Sequence, residues 1–302
     1  MPRYRISHRT LYRYGAPVIQ SQHALRLSPR LLSHQSTNSH ELKIEPTPAW
    51  RDEREDYFGN APVLIGIEAE HRELTVTATS DIVVTQPPKP DPKAATPWSP
   101  DMVYASRIAE FTFPSPHVPI TADIAGFAKP SFGAEQTIIG GATDVMRRIY
   151  RDFKFDNQAT DISTPISQVL TQRSGVCQDF VHLMIGALRS MGVPARYMSG
   201  YILTHPPEGQ PKLEGTDASH AWVAAWDPAF GWVEFDPTND LVNSDEHIAI
   251  AYGRDFDDVS PLSGVLLGGG SHTVTVGVDV REIEPESVAH PVVQARTDRK
   301  TG

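Results

Sequence analysis

Along the first 85 residues, apolar and polar positions alternate with a period of two. Tyr4-Arg5-Ile6-Ser7-His8, Leu25-Arg26-Leu27 and Glu41-Leu42-Lys43-Ile44-Glu45 each show it, and residues 63–70, 73–79 and 82–84 follow the turn-forming Asp56-Tyr57-Phe58-Gly59-Asn60. Short alternating runs separated by turn residues predict a sandwich-like or barrel-like β domain over 1–85. Residues 86–100, QPPKPDPKAATPWSP, are polar and proline-rich and read as an extended linker. From residue 101 the period becomes helical, with candidate helices over 102–110, 121–129, 133–150 and 165–172 and a short strand at Phe153-Lys154-Phe155.

The strongest helical pattern follows Arg173-Ser174-Gly175-Val176. Phe180, Met184 and Leu188 recur every fourth residue, Met191 continues the stripe, and Val181, Ile185 and Ala187 widen it, so this helix is buried on most sides. Gly192 suits a left-handed cap and Pro194 stops the helix. Residues 195–202 read as a strand, and 204–215, with three prolines and two glycines, as a flexible loop bordering a candidate groove. Residues 219–226 and 231–236 form a predicted hairpin across the turn Asp227-Pro228-Ala229-Phe230-Gly231. A helical piece is expected near 248–252, a polar loop over 253–261, a final alternating strand over 271–283 at a sheet edge, and a disordered tail over 284–302. The predicted class is α+β: the β domain, the linker, then one unit over 101–283.

Composition narrows the function. The chain has 302 residues, 39% apolar and 21% charged, enough for a sizeable core. Its net charge of −10 is the wrong sign for a nucleic-acid binder. No run of signal-peptide or membrane-spanning length is found, so neither a leader nor a membrane span is expected. One cysteine, Cys177, cannot form an internal disulfide, which suits a reducing compartment and a cytoplasmic protein. His8, His23, His34, His40 and His71 lack metal-ligand spacing and read as surface or satisfied polar groups.

Cys177 stands where the buried helix begins. A nucleophilic cysteine reacts as thiolate, and a helix N-terminus offers unpaired N–H groups and positive potential. Gly175 permits a tight turn there, whereas Asp179, in the first turn, opposes ionisation of a nearby thiol, so a cationic histidine has to outweigh it. His182 lies roughly 140° around the helix from Cys177 and points away; His205 sits in the loop and has no fixed place. In the hairpin, His220, Trp222, Ala224 and Trp226 share one face, as do Trp232, Glu234 and Asp236 opposite them. With Trp226 opposite Trp232, His220 lies diagonal to Asp236; a register two residues tighter sets them face to face. Either way the carboxylate reaches the imidazole, with Glu234 as second choice. Spacing by itself equally allows an aromatic hairpin with polar ends.

SGVCQDFVHLMIGALRSMGVPARYMSGY, then SHAWVAAW, then GWVEFDPTN resembles the bacterial transglutaminase-like family, within the papain-like thiol superfamily. Tyr12-Arg13-Tyr14, Pro17-Val18, Ser21, Arg26-Leu27-Ser28-Pro29 and Phe58-Gly59-Asn60 resemble its accompanying N-terminal domain, and GRDFDDVSP with the last strand its C-terminal portion. The resemblance implies a papain-like transglutaminase core over 101–283, whose cysteine helix packs on an antiparallel sheet. It implies Cys177 as nucleophile, His220 as base and Asp236 as orienting group, with a thioester formed from an amide of a peptide or protein. The oxyanion would meet the Cys177 N–H and a second donor, Gln172 or Gln178 by residue type. No metal or cofactor is required, and the acidic stretch Asp255–Asp258 reads as structural. The competing reading is a retired enzyme fold serving as a binding or scaffold module. A redox-sensing thiol is disfavoured, since no resolving cysteine exists.

Overall fold

The computed structural model describes residues 1–204, 217 and 219–283. Strand β1 (Arg3–Leu25) runs through the middle of a seven-stranded antiparallel sheet with β2 (Gln35–Glu45), β3 (Trp50–Glu53), β4 (Val63–Ile67), β5 (His71–Val84) and two strands from the far end of the sequence. The alternation dictates which side faces in: Tyr4, Ile6, His8 and Thr10 are buried while Arg5 and Arg9 are exposed. The strands form one curled sheet, because the neighbours of β1 change along its length. Residues Arg3–Arg13 lie beside β5, and Ser21–Leu25 beside β4.

After the proline-rich segment come α1 (Ser106–Ala109), α2 (Ala122–Ala128), α3 (Ile138–Asp152), β6 (Lys154–Phe155), α4 (Ile166–Gln172), β7 (Ser174–Gly175) and α5 (Cys177–Ser190). Helix α5 buries eleven of its fourteen residues, and Gly192 beyond it has φ +72°, as its sequence predicts. The helix expected over 102–110 shrinks to the four residues of α1 and a following 3-10 turn. Helix α1 buries no side chain and lacks a side-chain cap, and the turn buries only Phe111, so little offsets the entropy of a longer helix.

A five-stranded antiparallel sheet follows, built from β8 (Ala195–Ile202), β9 (Ser219–Asp227), β10 (Gly231–Asp236), β11 (Leu241–Val242) and β12 (His247–Gly253), in the order β11-β10-β9-β8-β12. The piece read as helical near 248–252 is therefore a strand: Ile248-Ala249-Ile250-Ala251 is a short apolar run that suits either element, and pairing with β8 decides it. Ala195, Tyr197, Ala221, Val223, Val233 and Phe235 share a core with α5. Met198, Trp222, Ala224 and Ala249 cluster separately, as alternation along the strands requires.

Helix α6 (Phe256–Val259) leads to β13 (Leu262–Gly268) and β14 (His272–Ile283). Both fall within the 101–283 unit of the sequence reading, yet both hydrogen-bond to β1 of the first sheet, β14 at its edge. Tyr4, Ile6, Ile82 and Val84 pack with Tyr201, Ile248, Ile250, Val278 and Val280, joining the two sheets through one apolar cluster. The His8 Nδ1 adds a 2.7 Å hydrogen bond to the Tyr201 hydroxyl, and burial holds this imidazole down at about 4. His23 departs from the sequence reading. It is buried, and among the described residues neither ring nitrogen has a hydrogen-bond partner. Among the described residues no helix is long and apolar enough to cross a membrane. The loop expected over 204–215 with His205, and the tail over 284–302, lie almost wholly outside the described residues.

Candidate active site

The approach to Cys177 is fixed by short-range chemistry. Strands β6 and β7 pair in parallel, and the Asp156 N–H donates to the Gly175 carbonyl at 2.9 Å. Asp179 reaches back from the first turn of α5, its Oδ2 accepting from the Val176 N–H at 2.7 Å and from the Thr160 hydroxyl at 2.6 Å. It thus caps the helix whose first residue is Cys177. Burial pushes the Asp179 carboxyl above its ordinary value. Gly175 serves a purpose other than turning: a Cβ there would stand 2.6 Å from the Asp179 Oδ2. Its glycine is a requirement of the cap. Cys177 is half-buried against the helical core.

The hairpin adopts the wider of the two expected registers, Trp226 opposite Trp232 and Val223 opposite Phe235. Asp236, next along β10, is level with Trp222 and diagonal to His220 on the same face. The His220 Nε2 and the Asp236 Oδ2 are 2.7 Å apart, and the Cys177 thiol acts on the same imidazole, raising it as Asp236 does. His220 is the second residue of its strand and Cys177 the first of its helix, so thiol and ring meet where both elements begin. Burial pulls the His220 imidazole down. The hydrogen bonds to Asp236 and Cys177, and the charges behind them, outweigh it and push it up to about 10.

Asp236 is 1% exposed and carries more partners than its sequence suggests. Its Oδ2 also meets the His247 Nε2 at 2.9 Å and accepts from the Asn239 Nδ2 at 2.7 Å. Its Oδ1 accepts from the N–H groups of Thr238 and Asn239 at 2.8 and 3.2 Å. Burial alone would raise this carboxyl, but His220 and His247 hold it well below the usual carboxylate range. The backbone donors follow from the aspartate-turn chemistry of Asp236-Pro237-Thr238-Asn239, a signal present in the sequence. His247 has no such signal, because it reaches Asp236 only through the pairing of β12 with β8.

The remaining candidates lie elsewhere. Glu234 accepts from the Trp222 indole N–H at 2.8 Å and is not the partner of His220. His182 stacks on His117, accepts from the Phe256 N–H at 3.2 Å, and is held by burial at about 3. The Gln172 amide donates to the Ser174 carbonyl at 3.0 Å. Gln178, half-buried next to Cys177, has no hydrogen bond to its side-chain amide among the described residues. In the acidic loop Asp255 accepts from the N–H groups of His117 and Asp257, and Asp258 pairs with Arg254. His220, Asp236 and His247 together bring three ligand-type atoms within 4.8 Å of one another. Each is already engaged in the contacts above.

The profile of the bacterial transglutaminase-like N-terminal region matches residues 4–83, and that of the transglutaminase-like superfamily matches residues 126–237. An uncharacterized Mycobacterium tuberculosis protein is 37% identical over 297 residues, covering 95% of each chain. An uncharacterized Mycobacterium leprae protein is 32% identical over 292 residues, covering 94% of this chain and all of its own. A protein-glutamine gamma-glutamyltransferase of Pseudomonas aeruginosa is 40% identical over 67 residues, 22% of this chain and 10% of that one. Among solved structures, a candidate cysteine protease from Cytophaga hutchinsonii superposes with a TM-score of 0.77 at 20% identity, over 95% of this chain and 92% of its own, a likeness of fold.

Proposed function

We propose, from the premise that this chain belongs to the transglutaminase-like superfamily, that it is a cysteine-dependent enzyme acting on amides through a thioester. The observation that carries this reading is the convergence of the half-buried Cys177 thiol on His220, whose Nε2 meets the buried Asp236 carboxylate at 2.7 Å. In this reading Cys177 is the nucleophile, His220 the acid–base and Asp236 the group that orients it. The sulfur attacks a carboxamide carbon, and the proton held on His220 passes to the departing nitrogen, which leaves as ammonia or an amine. The acyl group stays on Sγ until water, deprotonated by His220, releases it as a carboxylate. An amine in place of water makes the same step a transfer.

The oxyanion of each tetrahedral intermediate is assigned to the backbone N–H of Cys177, with the unengaged amide of Gln178 as the second donor. Gln172 is the weaker candidate, since its amide is occupied. The stretch shared with a protein-glutamine gamma-glutamyltransferase supports a glutamine side chain of a peptide or protein as acyl donor. A mechanism that needs a free thiol also favours a reducing compartment, the cytoplasm.

The test is trapping with glutamine-containing peptide and isopeptide libraries, read by mass spectrometry on the wild type and on Cys177→Ala. The wild type should gain an acyl mass on Cys177, with loss of ammonia or amine, and the variant should gain none while keeping its fold. Adducts or turnover that persist in Cys177→Ala sink the mechanism. A wild type that acylates with no library member leaves the scaffold reading in its place.

A further inference from the structure

A cleft, with a cavity volume of about 620 Å³, opens between the first sheet and the core. That is the size of a small-molecule site. Arg196, on β8 opposite Ala224, closes its inner end. This guanidinium stands 4.2 Å from the Trp232 ring centroid and 3.8 Å from that of Tyr252. The residue is 8% exposed, its Nε has no hydrogen-bond partner, and among the described residues no carboxylate lies within ion-pair distance. Arg30 stacks on the same Tyr252 ring at 4.0 Å, and its Nε is buried and unpartnered as well. Arg30 also donates to the Asn60 side-chain oxygen and to the Phe58 carbonyl at 3.3 Å, and Arg196 to the Tyr252 hydroxyl, so the two cations share one aromatic ring and neutral acceptors, with no carboxylate at ion-pair distance.

The energetics do not close on these contacts alone. Burying a cation costs more than a single desolvated cation–π contact returns, and the two like charges repel each other. Burial lowers Arg196 only to about 10, so it stays charged at neutral pH. Of the two carboxylates lining the cleft, Glu110 is bonded to the Tyr57 hydroxyl, and Glu55 acts on Arg30 only from beyond ion-pair distance, as Glu234 does on Arg196. Phe58, Phe111 and Trp232 form a connected aromatic wall, with Phe111 edge-on to Trp232 at 5.3 Å and 6.1 Å from Phe58.

We propose that this cleft binds a small ligand with an oxyanion group, carboxylate or phosphate, on an aromatic or apolar body. The oxyanion sits on Arg196 and Arg30, and the body lies along the Phe58–Phe111–Trp232 wall. The site is separate from the thiol. Gly200, which pairs with His220, lies four residues along β8 from Arg196, about 13 Å at the strand rise. Met198 and the fully buried Trp222 fill the space between. The proposal thus stands whether or not the amide chemistry does.

Benzoate, phenyl phosphate and inorganic phosphate are titrated into the full chain by calorimetry, with thermal unfolding in parallel, against sodium chloride at equal ionic strength. Saturable binding by the wild type and by Cys177→Ala, with a rise in Tm, is the expected result. Preference for benzoate identifies a carboxylate ligand, and preference for phenyl phosphate a phosphate. Arg196→Met should fold at least as well as the wild type without ligand and bind about tenfold more weakly or worse, the loss of one charge-assisted contact. Tyr57→Glu, at a position 79% exposed, adds a negative charge at the cleft mouth and should weaken binding several-fold. It keeps the proposal testable if Arg196→Met does not fold. No saturable binding at about 10 mM of any probe, wild-type affinity in folded Arg196→Met, or unchanged affinity in Tyr57→Glu overturns it.

Discussion

Replacing Asp236 by asparagine keeps its shape and removes its charge, and the consequence falls on His220. In the wild type burial pulls this imidazole down, while the bonds and charges of Asp236 and Cys177 raise it to about 10 from an ordinary 6.5. Without the carboxylate only Cys177 opposes burial. The imidazole should then titrate in the neutral range, a drop of about 3 pH units for losing a bonded opposite charge. That drop is on the order of 4 kcal/mol. An independent figure agrees, since breaking a buried ion pair by removing one partner costs about 3–5 kcal/mol. The assay is NMR titration of the imidazole Cε1–H, with the His220 signal assigned by its loss in His220→Gln. Iodoacetamide labelling of Cys177 at pH 7 should slow in the same variant. If His220 in Asp236→Asn still titrates near its wild-type value, Asp236 is not what holds its proton, and the orienting role assigned to it is wrong.

His247→Phe keeps a ring against Trp222 but removes one donor from Asp236; a loss of about 1.5–3 kcal/mol in unfolding free energy is expected for a bond to a charged group, measured by urea titration. Because the folded value of His220 lies above its ordinary 6.5, its contribution to stability is fully present below about 6.5 and lost as pH rises through about 10. The stability difference between wild type and His220→Gln should therefore shrink across that window, and a difference that grows with pH contradicts the assignment. Gly175→Ala places a Cβ 2.6 Å from the Asp179 Oδ2 and should cost about 1–3 kcal/mol by overpacking, measured by urea titration; a variant as stable as the wild type removes the cap from the argument.

What could be read ahead of the structure follows how local each signal is. Strand β8 and the hairpin β9–β10 appear where alternation and turn chemistry place them, and the Trp226–Trp232 register puts His220 and Asp236 on one face. Helix α5 and its glycine stop are legible for the same reason. The errors arise where distant pairing decides. Residues His247–Gly253 become a strand because β8 offers an open edge, and this carries His247 to Asp236. Strands β13 and β14 join β1, more than 230 residues earlier in the chain, a pairing no local pattern announces. Gly175 shows a subtler case: the residue type is visible, but its reason, the approach of Asp179, exists only in three dimensions.

The number of donors on Asp236 explains how a carboxylate can sit 1% exposed beside a histidine without itself becoming the titrating group. An isolated buried carboxylate takes up a proton. Here two imidazoles, the Asn239 amide and two backbone N–H groups meet its oxygens. Bonds to a charged acceptor return about 1.5–3 kcal/mol each, which together exceeds the several kcal/mol of burying one ion. Asp236 therefore stays ionised through the neutral range, and protonation changes at its end of the site fall to His220. The alternation of β9 permits this arrangement. Ala221, Val223 and Ala225 pack against α5, while His220 and Trp222 turn to the other face, where Glu234 takes up the Trp222 indole N–H. Packing and chemistry thus use alternate residues of the same strand, so a one-residue slip in the register of β9 would exchange the two sets and remove both at once.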